Sequence, residues 1–235
     1  MNAQNEDNTS ENRKLVVFTD GGAKNNGKRN CTAAWAVFFD DETGTVSQRT
    51  LERYNESGKI YSEPSNQKAE LYAINKALEK ATHIVQNREL PLDTLQIVTD
   101  SQYSIDCLTK WCKNWEKNGW RTYKGEKVKH DSIIKESLKS IQELQRWVSI
   151  EWKHVNSHLI APKNPKSIEY ILWYGNYKVD KMVSSSLSQS QTHTFNMPKG
   201  KAIAVDWDGS LLPDNVKPAK KKKEKDDDSS ITVNW

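Results

Sequence analysis

The stretch KLVVFTDGGAKNNG, residues 14–27, decides the fold. Its apolar run at 15–18 has the length and the β-branched content of a strand that is buried on both faces. The run ends at Asp20, and Gly21 and Gly22 then predict a turn of the backbone. An isolated Asp-Gly pair most often marks only a turn, but a carboxylate at the end of a buried strand is costly unless it has a partner.

The same ending occurs a second time. The run LQIVT at 95–99 is followed by Asp100, so that Thr-Asp closes two short apolar strands. A helix predicted from Ser65 or Asn66 to about residue 81 is a plausible crossover between them, which makes the strands parallel neighbours. Asp20 and Asp100 are then expected at one edge of the sheet, where ligands of open α/β sheets bind.

Two further carboxylates lie on predicted helix faces that point inward. Glu70 precedes the apolar residue Ile74 by one helical turn. Asp180 shares a face with Val183 in a helix predicted over 176–187. An inward-facing carboxylate needs a partner such as a metal ion, unless the phase of the helix has been misjudged.

The remaining pattern gives the rest of the expected architecture. Strands are predicted at 32–40 and 46–54, in an antiparallel meander with the first strand, and at 147–153. Helices are predicted after Ser101, at 109–118 and at 131–145. We expect a disordered N-terminal tail over 1–13, one globular domain over 14–190, and a C-terminal extension over 191–235 that is partly low in complexity and charged.

Residues 110–129, which we call the basic handle, combine seven Lys or Arg with two Glu and four aromatic residues. This composition suits binding of a phosphate backbone, with rings that pack on sugars or bases. The alternative is a solvated amphipathic helix whose tryptophans belong to the core. Three cysteines without metal-type spacing indicate a reducing compartment, and we expect an intracellular protein with no membrane-spanning run.

Six segments together resemble the type 1 ribonuclease H family, and they occur in the order of that family. The segments are TDGGAKNNG at 19–27, SNQKAELYAINKALE at 65–79, TDSQYSID at 99–106, the handle at 110–129, WKHVNSH at 152–158 and GNYKVDKMV at 175–183. The resemblance implies an α/β protein of the ribonuclease H-like fold, with a five-stranded mixed sheet of a three-strand antiparallel meander plus parallel strands, flanked by helices.

The resemblance also implies a metal-dependent endoribonuclease that cleaves the RNA strand of RNA–DNA hybrids and leaves 5′-phosphate and 3′-hydroxyl ends. Its metal ligands would be Asp20, Glu70, Asp100 and Asp180, holding two Mg²⁺ ions, with Mn²⁺ as a possible substitute. His158 matches a loop histidine that assists water activation or product departure.

Substrate contacts are implied in the same way. Asn26, Asn66 and Gln67 match positions that contact the RNA strand, although Asn26 also suits a turn and Asn66 a helix cap. The expected DNA-strand contacts are Ser65, Trp111, Trp115, Lys127 and Lys129. Trp115 is the ring expected to face DNA, while at least one tryptophan of the handle is expected to be structural.

Some positions depart from the family pattern. Glu63 stands where many relatives have a basic residue, and His130 stands in place of an Asn, so the pocket for a DNA phosphate is altered. The segment between His158 and Asp180 is longer than usual and contains Trp173 and Tyr174, which suit packing over the cleft or an extra contact. No N-terminal hybrid-binding domain is expected, because only 13 residues precede the first strand.

Two features of the C-terminal extension have competing explanations. The lysine run at 220–223 suits a solvated tail best, with a nuclear signal or a contact to nucleic acid or protein as alternatives. AIAVDWDGSLL at 202–212 resembles the first motif of haloacid-dehalogenase phosphatases, but too few residues follow it to complete that fold. For the whole chain we expect a monomer, and the alternatives to hybrid cleavage are a hybrid-binding module without catalysis or a related nuclease with another nucleic-acid substrate.

Overall fold

The computed structural model describes residues 13–41, 46–90, 92–157 and 160–188. The strands and helices occur along the chain in the following order: β1 Lys14–Lys24, β2 Thr32–Asp41, α1 Gln48–Leu51, a 3₁₀ turn Glu52–Tyr54, β3 Glu56–Ile60, α2 Asn66–Gln86, β4 Thr94–Thr99, α3 Gln102–Asp106, a π-helical turn Cys107–Trp111, α4 Cys112–Lys117, α5 Asp131–Leu144, β5 Ser149–His154 and α6 Ile168–Ser188.

The strands form one mixed sheet of order β3-β2-β1-β4-β5. The pairs β1–β2 and β2–β3 are antiparallel, whereas β1–β4 and β4–β5 are parallel. The last paired residues of β1 and β4 are Thr19 and Thr99, so Asp20 and Asp100 follow at the same edge. The predicted mixed five-stranded sheet is therefore confirmed.

Helices cover both faces of this sheet, and the side-chain alternation of β1 shows how. Leu15 and Val17 point into the larger core, which contains the buried faces of α2 and α5. Val16 and Phe18 point to the other face, where they pack with Val179 and the rest of the buried stripe of α6. Asp20 follows the alternation of Phe18 and therefore lies on the α6 side.

The turn predicted at Gly21 and Gly22 is wrong, because β1 continues through both residues to Lys24. The reason for glycine at this point is close packing. A Cβ atom at Gly21 would lie 2.2 Å from the backbone nitrogen of Glu70, and one at Gly22 would lie 2.9 Å from Cγ1 of Val183. The two glycines let α2 and α6 approach β1 from opposite faces.

The strand predicted over 46–54 is also wrong. This segment forms α1 and the 3₁₀ turn, and β3 begins only at Glu56. Ser47 starts the helix, since its hydroxyl oxygen accepts a hydrogen bond from the Thr50 backbone N–H at 3.3 Å. Leu51 and Tyr54, three residues apart, are both buried, which is a helical rather than an extended spacing.

The final helix begins at Ile168, eight residues before the predicted start. Ser167 caps it, because its hydroxyl oxygen accepts from the Tyr170 backbone N–H at 3.2 Å. Gly175 does not break the helix: a Cβ atom there would lie 2.3 Å from the Phe18 ring, so glycine allows α6 to rest on β1. The longer helix places two additional turns beside the expected active site.

Two other helices differ in their bounds from the prediction. Helix α2 runs to Gln86 rather than residue 81, and Ile84 in its last turns is fully buried. Helices α3 and α4 are joined by the π-helical turn, so residues 102–117 are helical throughout instead of forming two separate helices. Within the described ranges, helices long and apolar enough to cross a membrane are absent.

Candidate active site

Three carboxylates meet at the edge of the sheet where β1 and β4 run side by side. Carboxylate oxygens of Asp20, Glu70 and Asp100 all lie within 4.8 Å of one another. Asp20 belongs to β1, Asp100 follows β4 directly, and Glu70 comes from the helix that connects the two halves of the sheet. The structure thus brings together three of the four carboxylates that the sequence singled out.

Glu70 reaches this cluster because the start of α2 is firmly fixed. The hydroxyl oxygen of Ser65 accepts from the Lys68 backbone N–H at 3.2 Å, and the side-chain carbonyl of Asn26 accepts from the Asn66 backbone N–H at 3.1 Å. Glu70 lies one turn further on and is only 7% exposed. Its inward orientation confirms the predicted helix phase.

The cluster is electrostatically unfavourable when no cation is bound. Burial raises the pKa of Asp20 to about 7, and the nearby charges of Asp100 and Asp180 act in the same direction. Burial also raises the pKa of Glu70 well above its ordinary value, assisted by Asp20 and Asp100. The backbone N–H of Gly21 donates to both carboxylates and opposes these shifts, but does not offset them.

The donor set fits a divalent metal ion. One oxygen of Glu70, Oε2, is buried and has no hydrogen-bond partner among the described residues. A buried carboxylate oxygen without a partner is costly, and a cation removes that cost. Three carboxylates supply only oxygen ligands, which is the preference of hard ions such as Mg²⁺, Mn²⁺ and Ca²⁺.

Asp180 lies in the same cleft, on α6, outside the group of three. The cleft has a volume of about 540 Å³ and is lined by all four carboxylates. The effect of Asp180 on the pKa of Asp20 shows that the two groups are close enough to interact. Asp180 is thus placed to complete a ligand set at the side of the cleft that faces α6.

Asp100 is supported by its neighbours on β4 and β5. The His154 ring, through its Nε2–H, donates to the backbone carbonyl of Asp100 at 3.1 Å. The Ser101 backbone N–H donates to the Thr99 hydroxyl at 3.2 Å. His154 is therefore a positioning residue for the end of β4. His158 lies outside the described residues, so its catalytic role stays a prediction.

The basic handle carries a row of aromatic rings. Ring centroids are 5.8 Å apart for Tyr103 and Trp111, 5.9 Å for Trp111 and Trp115, and 6.3 Å for Trp115 and Trp120. Trp111 is 38% exposed, whereas Trp115 is half-buried between its two neighbours and packs against the main core. Trp111 is thus the more accessible ring, although Trp115 was the one expected to face DNA.

The cations expected to contact DNA follow the handle helix. Residues 121–127 fold into a small hairpin in which the backbone of Arg121 pairs with that of Lys127. Lys127 is exposed and its ammonium lies 3.0 Å from a carboxylate oxygen of Asp131. Lys129 is exposed as well. Ser65, the fifth expected contact, is half-buried and already serves as the cap of α2.

The two departures from the family pattern, Glu63 and His130, lie near each other. Burial lowers the pKa of His130, the charges of Lys129 and Lys68 lower it further, and Glu63 acts in the opposite direction. His130 also has a left-handed backbone with φ of 61°. His130 therefore lies within electrostatic range of one carboxylate and two ammonium groups, and an altered phosphate pocket at this place stays a prediction.

Sequence reasoning predicted one wall of the cleft only in part, because Trp173 was expected to suit packing over the cleft but was not placed on α6. The additional turns of α6 contribute Leu172 and Trp173 to the same cavity as the carboxylates, and Asn176 and Tyr177, from the predicted part of the helix, line it as well. The signal was present in the sequence, as Ser167 followed by aromatic residues at helical spacing. Gly175 concealed it, because glycine inside a run is usually read as a helix boundary.

Antiparallel and parallel strands in this order, with carboxylates converging beyond two parallel strand ends, define an α/β protein of the ribonuclease H-like class. A family model described as RNase H matches residues 12–188, which is well over half of the chain. The chain belongs to the RNase H family.

Individual relatives show how far this similarity extends. Human Ribonuclease H1 is 32% identical over 144 residues, covering 61% of this chain and 44% of the human protein. Ribonuclease H of Zymomonas mobilis is 28% identical over 165 residues, covering 68% of this chain and 88% of the bacterial protein. The chain thus spans less than half the length of the human relative.

A solved structure agrees with the fold. The foamy viral protease-reverse transcriptase in complex with an RNA/DNA hybrid aligns with a TM-score of 0.53 and 19% identity, over 75% of this chain and 20% of the viral chain. This likeness concerns the fold alone.

Proposed function

We propose that this chain hydrolyses the RNA strand of RNA–DNA hybrids with the help of divalent metal ions, Mg²⁺ in the first instance. The observation that carries the proposal is the convergence of Asp20, Glu70 and Asp100 within 4.8 Å. Family membership supports the same reaction, and the relatives named above are ribonucleases H.

The four carboxylates are the groups that would hold the metal. We assign Asp20 to the centre, because its pKa responds to both Asp100 and Asp180. The chemistry that two such ions supply when bound is activation of a water and stabilisation of the leaving oxygen in an in-line displacement. Glu70 comes from α2 and Asp180 from α6, while Asp20 and Asp100 lie at the edge of the sheet between them, so the chain offers carboxylates from both faces of the sheet.

The start of α2 is the surface proposed to recognise RNA. Asn26 and Asn66 are joined by a hydrogen bond, and exposed Gln67 follows them one turn before Glu70 is reached. Amide groups at this position can donate to or accept from a 2′-hydroxyl, which distinguishes RNA from DNA. Asn26 therefore has a capping role and is proposed to contact substrate as well.

The products are proposed to carry 5′-phosphate and 3′-hydroxyl ends, and His158 is proposed to move a proton during water activation or product departure. A His158→Ala variant is expected to retain hybrid binding and to lose a substantial part of its rate. An unchanged rate in that variant would remove His158 from the proposal.

The central test compares substrates and one pair of matched variants. With Mg²⁺ present, we expect the chain to cleave a labelled RNA–DNA hybrid and to leave duplex RNA and duplex DNA intact. Asp100→Asn is expected to abolish cleavage while hybrid binding is largely retained. Asp93→Asn is the control, because Asp93 precedes the same strand at its opposite end and pairs there with Arg13 at 2.9 Å.

The outcomes separate the competing functions. Hybrid binding without cleavage by the intact chain would favour a binding module without catalysis. Cleavage of another nucleic acid in preference to the hybrid would favour a related nuclease. Full activity in Asp100→Asn would refute the assignment of the metal ligands.

We further propose that the protein acts as a monomer inside the cell. The free, buried thiols of Cys107 and Cys112 support a reducing compartment. Sedimentation of the purified chain would test the oligomeric state, and fractionation of source cells would test the location.

A further inference from the structure

The first half of α6 carries four aromatic residues at helical spacing: Tyr170, Trp173, Tyr174 and Tyr177. The rings of Trp173 and Tyr177 are stacked, with centroids 5.4 Å apart and planes at 16°. Tyr170 and Tyr174 are stacked as well, at 6.2 Å and 7°. We call these four residues the aromatic stripe. It forms a continuous ring surface along two turns of the helix.

This stripe is not needed to hold α6 on the sheet. The packing between α6 and the sheet is made by Val179 and Val183, and by Gly175 against Phe18. Tyr174 is 36% exposed and Tyr177 is 43% exposed. Each stacked pair thus has one half-buried ring, Tyr170 or Trp173, and one ring open to water, which indicates a binding surface on this helix face.

The stripe is continuous with the carboxylate cleft. Trp173 and Tyr177 line the same cavity as Asp20, Glu70 and Asp180. Tyr177 precedes Asp180 by three residues, which is less than one helical turn, or about 5 Å along the axis. A strand whose phosphate lies at the carboxylates therefore reaches this wall within its next few nucleotides.

The charge beside the rings favours a polyanion. The ammonium of Lys178 lies 5.5 Å from the Tyr174 ring centroid, and that of Lys181 lies 5.3 Å from the Tyr177 centroid. Rings flanked by cations match the composition of surfaces that bind single-stranded nucleic acid. An apolar protein segment would make no use of these two cations.

The geometry points to a stacking platform: we propose that the aromatic stripe binds unpaired RNA nucleotides that continue the cleaved strand beyond the hybrid. The proposal rests on the proposed function, because that function places the RNA strand at the carboxylates. Unpaired nucleotides are favoured over duplex because rings stack on base faces, and in a duplex these faces are already covered. The DNA strand is instead assigned to the basic handle, which lies on α4 and the following hairpin.

The test measures binding in the Asp100→Asn background, which prevents turnover. Three kinds of substrate are compared. The first is a blunt RNA–DNA hybrid, the second is the hybrid whose RNA strand has an unpaired extension at its 5′ or its 3′ end, and the third is the hybrid whose DNA strand has an unpaired extension. We expect one RNA extension to tighten binding about tenfold, as stacking of one or two bases predicts. Trp173→Leu combined with Tyr177→Leu is expected to remove this preference.

Trp147→Leu is the matched control. Trp147 is also an exposed tryptophan, at 67%, but it precedes β5 at the end of the sheet opposite the carboxylates. It is expected to retain the preference for the extended hybrid. If the double variant fails to fold, 2-aminopurine placed in the RNA extension provides a second measurement on the otherwise intact chain, and quenching of its fluorescence on binding supports stacking.

Three results would overturn the platform. They are equal affinity for blunt and RNA-extended hybrids, an equal gain from a DNA extension, and an unchanged preference in the folded double variant. In each case, cleavage of the blunt hybrid by the unaltered chain would show that the proposed function stands without the platform. Absence of both binding and cleavage of the blunt hybrid would instead show that the proposed function itself has failed.

Discussion

The carboxylate cleft and the basic handle are the two regions proposed to bind nucleic acid, but they are held in the fold in different ways. The cleft draws its side chains from the most deeply packed elements, β1, β4, α2 and α6, and burial raises the pKa values of Asp20 and Glu70. The handle lies nearer the surface, where Trp111 and its cations are exposed, although Trp115 and Trp120 pack against the main core. The cleft is thus tightly packed and electrostatically costly, whereas much of the handle is open to solvent.

This contrast predicts that small changes near the cleft have large effects. Gly21→Ala places a Cβ atom 2.2 Å from the Glu70 backbone nitrogen, so α2 must move away from β1. We expect a loss of roughly 3 kcal/mol in the free energy of unfolding, and loss of cleavage because Glu70 is displaced. Denaturant unfolding and hybrid cleavage measure the two effects.

Gly125→Ala in the handle is the matched control. Gly125 has a φ of 80°, but its Cβ position is open, with nothing within 4 Å. We expect a cost of only about 1 kcal/mol, from the left-handed backbone, and nearly normal cleavage. Equal losses in the two variants would contradict the difference between the regions.

The second prediction concerns metal-free protein. The folded state holds a proton on Asp20 up to about pH 7, whereas the unfolded chain releases it near its ordinary pKa of 3.8. The folded state therefore binds more protons in this window, and the contribution of Asp20 to stability is lost as the pH rises through 7. At about 1.4 kcal/mol for each pH unit, the loss reaches a few kcal/mol.

Thermal melts in chelator across this pH range measure the effect. Asp20→Asn is the comparison variant, and it is expected to be more stable than the unaltered chain at about pH 8 without metal. Mg²⁺ is expected to stabilise only the unaltered chain to a large extent. If the two metal-free proteins had the same melting temperature at high pH, repulsion among the carboxylates would not destabilise the folded chain.

The sequence predicted the carboxylates of the cleft better than the helix packing that positions them. The repeated Thr-Asp endings and the phase of Glu70 sufficed to bring three carboxylates to one edge, because strand ends and helix faces follow from short-range periodicity. The reason for Gly21, and the start of α6 beyond Gly175, depend on which atoms lie opposite in the folded chain. Such contacts are made between distant parts of the sequence and leave no local pattern.

The segment at 46–54 is a second case in which packing in the folded chain decides the local structure. A strand was predicted there as the third of the meander, but Ser47 as a cap and the burial of Leu51 and Tyr54 together select a helical turn. Local patterns that fit two structures are decided by which one buries the apolar residues.

The third prediction divides the rings of the handle by role. Trp111 is 38% exposed, and Trp111→Ala is expected to weaken hybrid binding about tenfold with little effect on stability. Trp120 is half-buried with the Lys135 ammonium 4.6 Å from its ring centroid, so Trp120→Ala is expected to cost roughly 2 kcal/mol of stability. Filter binding and thermal melts on both variants separate the roles. If Trp120→Ala weakened hybrid binding and Trp111→Ala lowered stability instead, the ring that contacts DNA would lie deeper in the handle.

The smallest expected effect belongs to a single cation. Lys127 is exposed and its partner Asp131 also pairs with Lys135 at 2.7 Å, so removal of Lys127 leaves that carboxylate paired. Lys127→Ala is therefore expected to weaken hybrid binding only severalfold and to lower the slope of log affinity against log salt by about one, as loss of one phosphate contact predicts. Lys80→Ala is the control, because Lys80 is likewise paired, with Glu56 at 2.6 Å, but lies on α2 away from the handle. A salt slope that is unchanged in Lys127→Ala would mean that the pair with Asp131 persists in the complex, and that the handle binds DNA through its rings and its other cations.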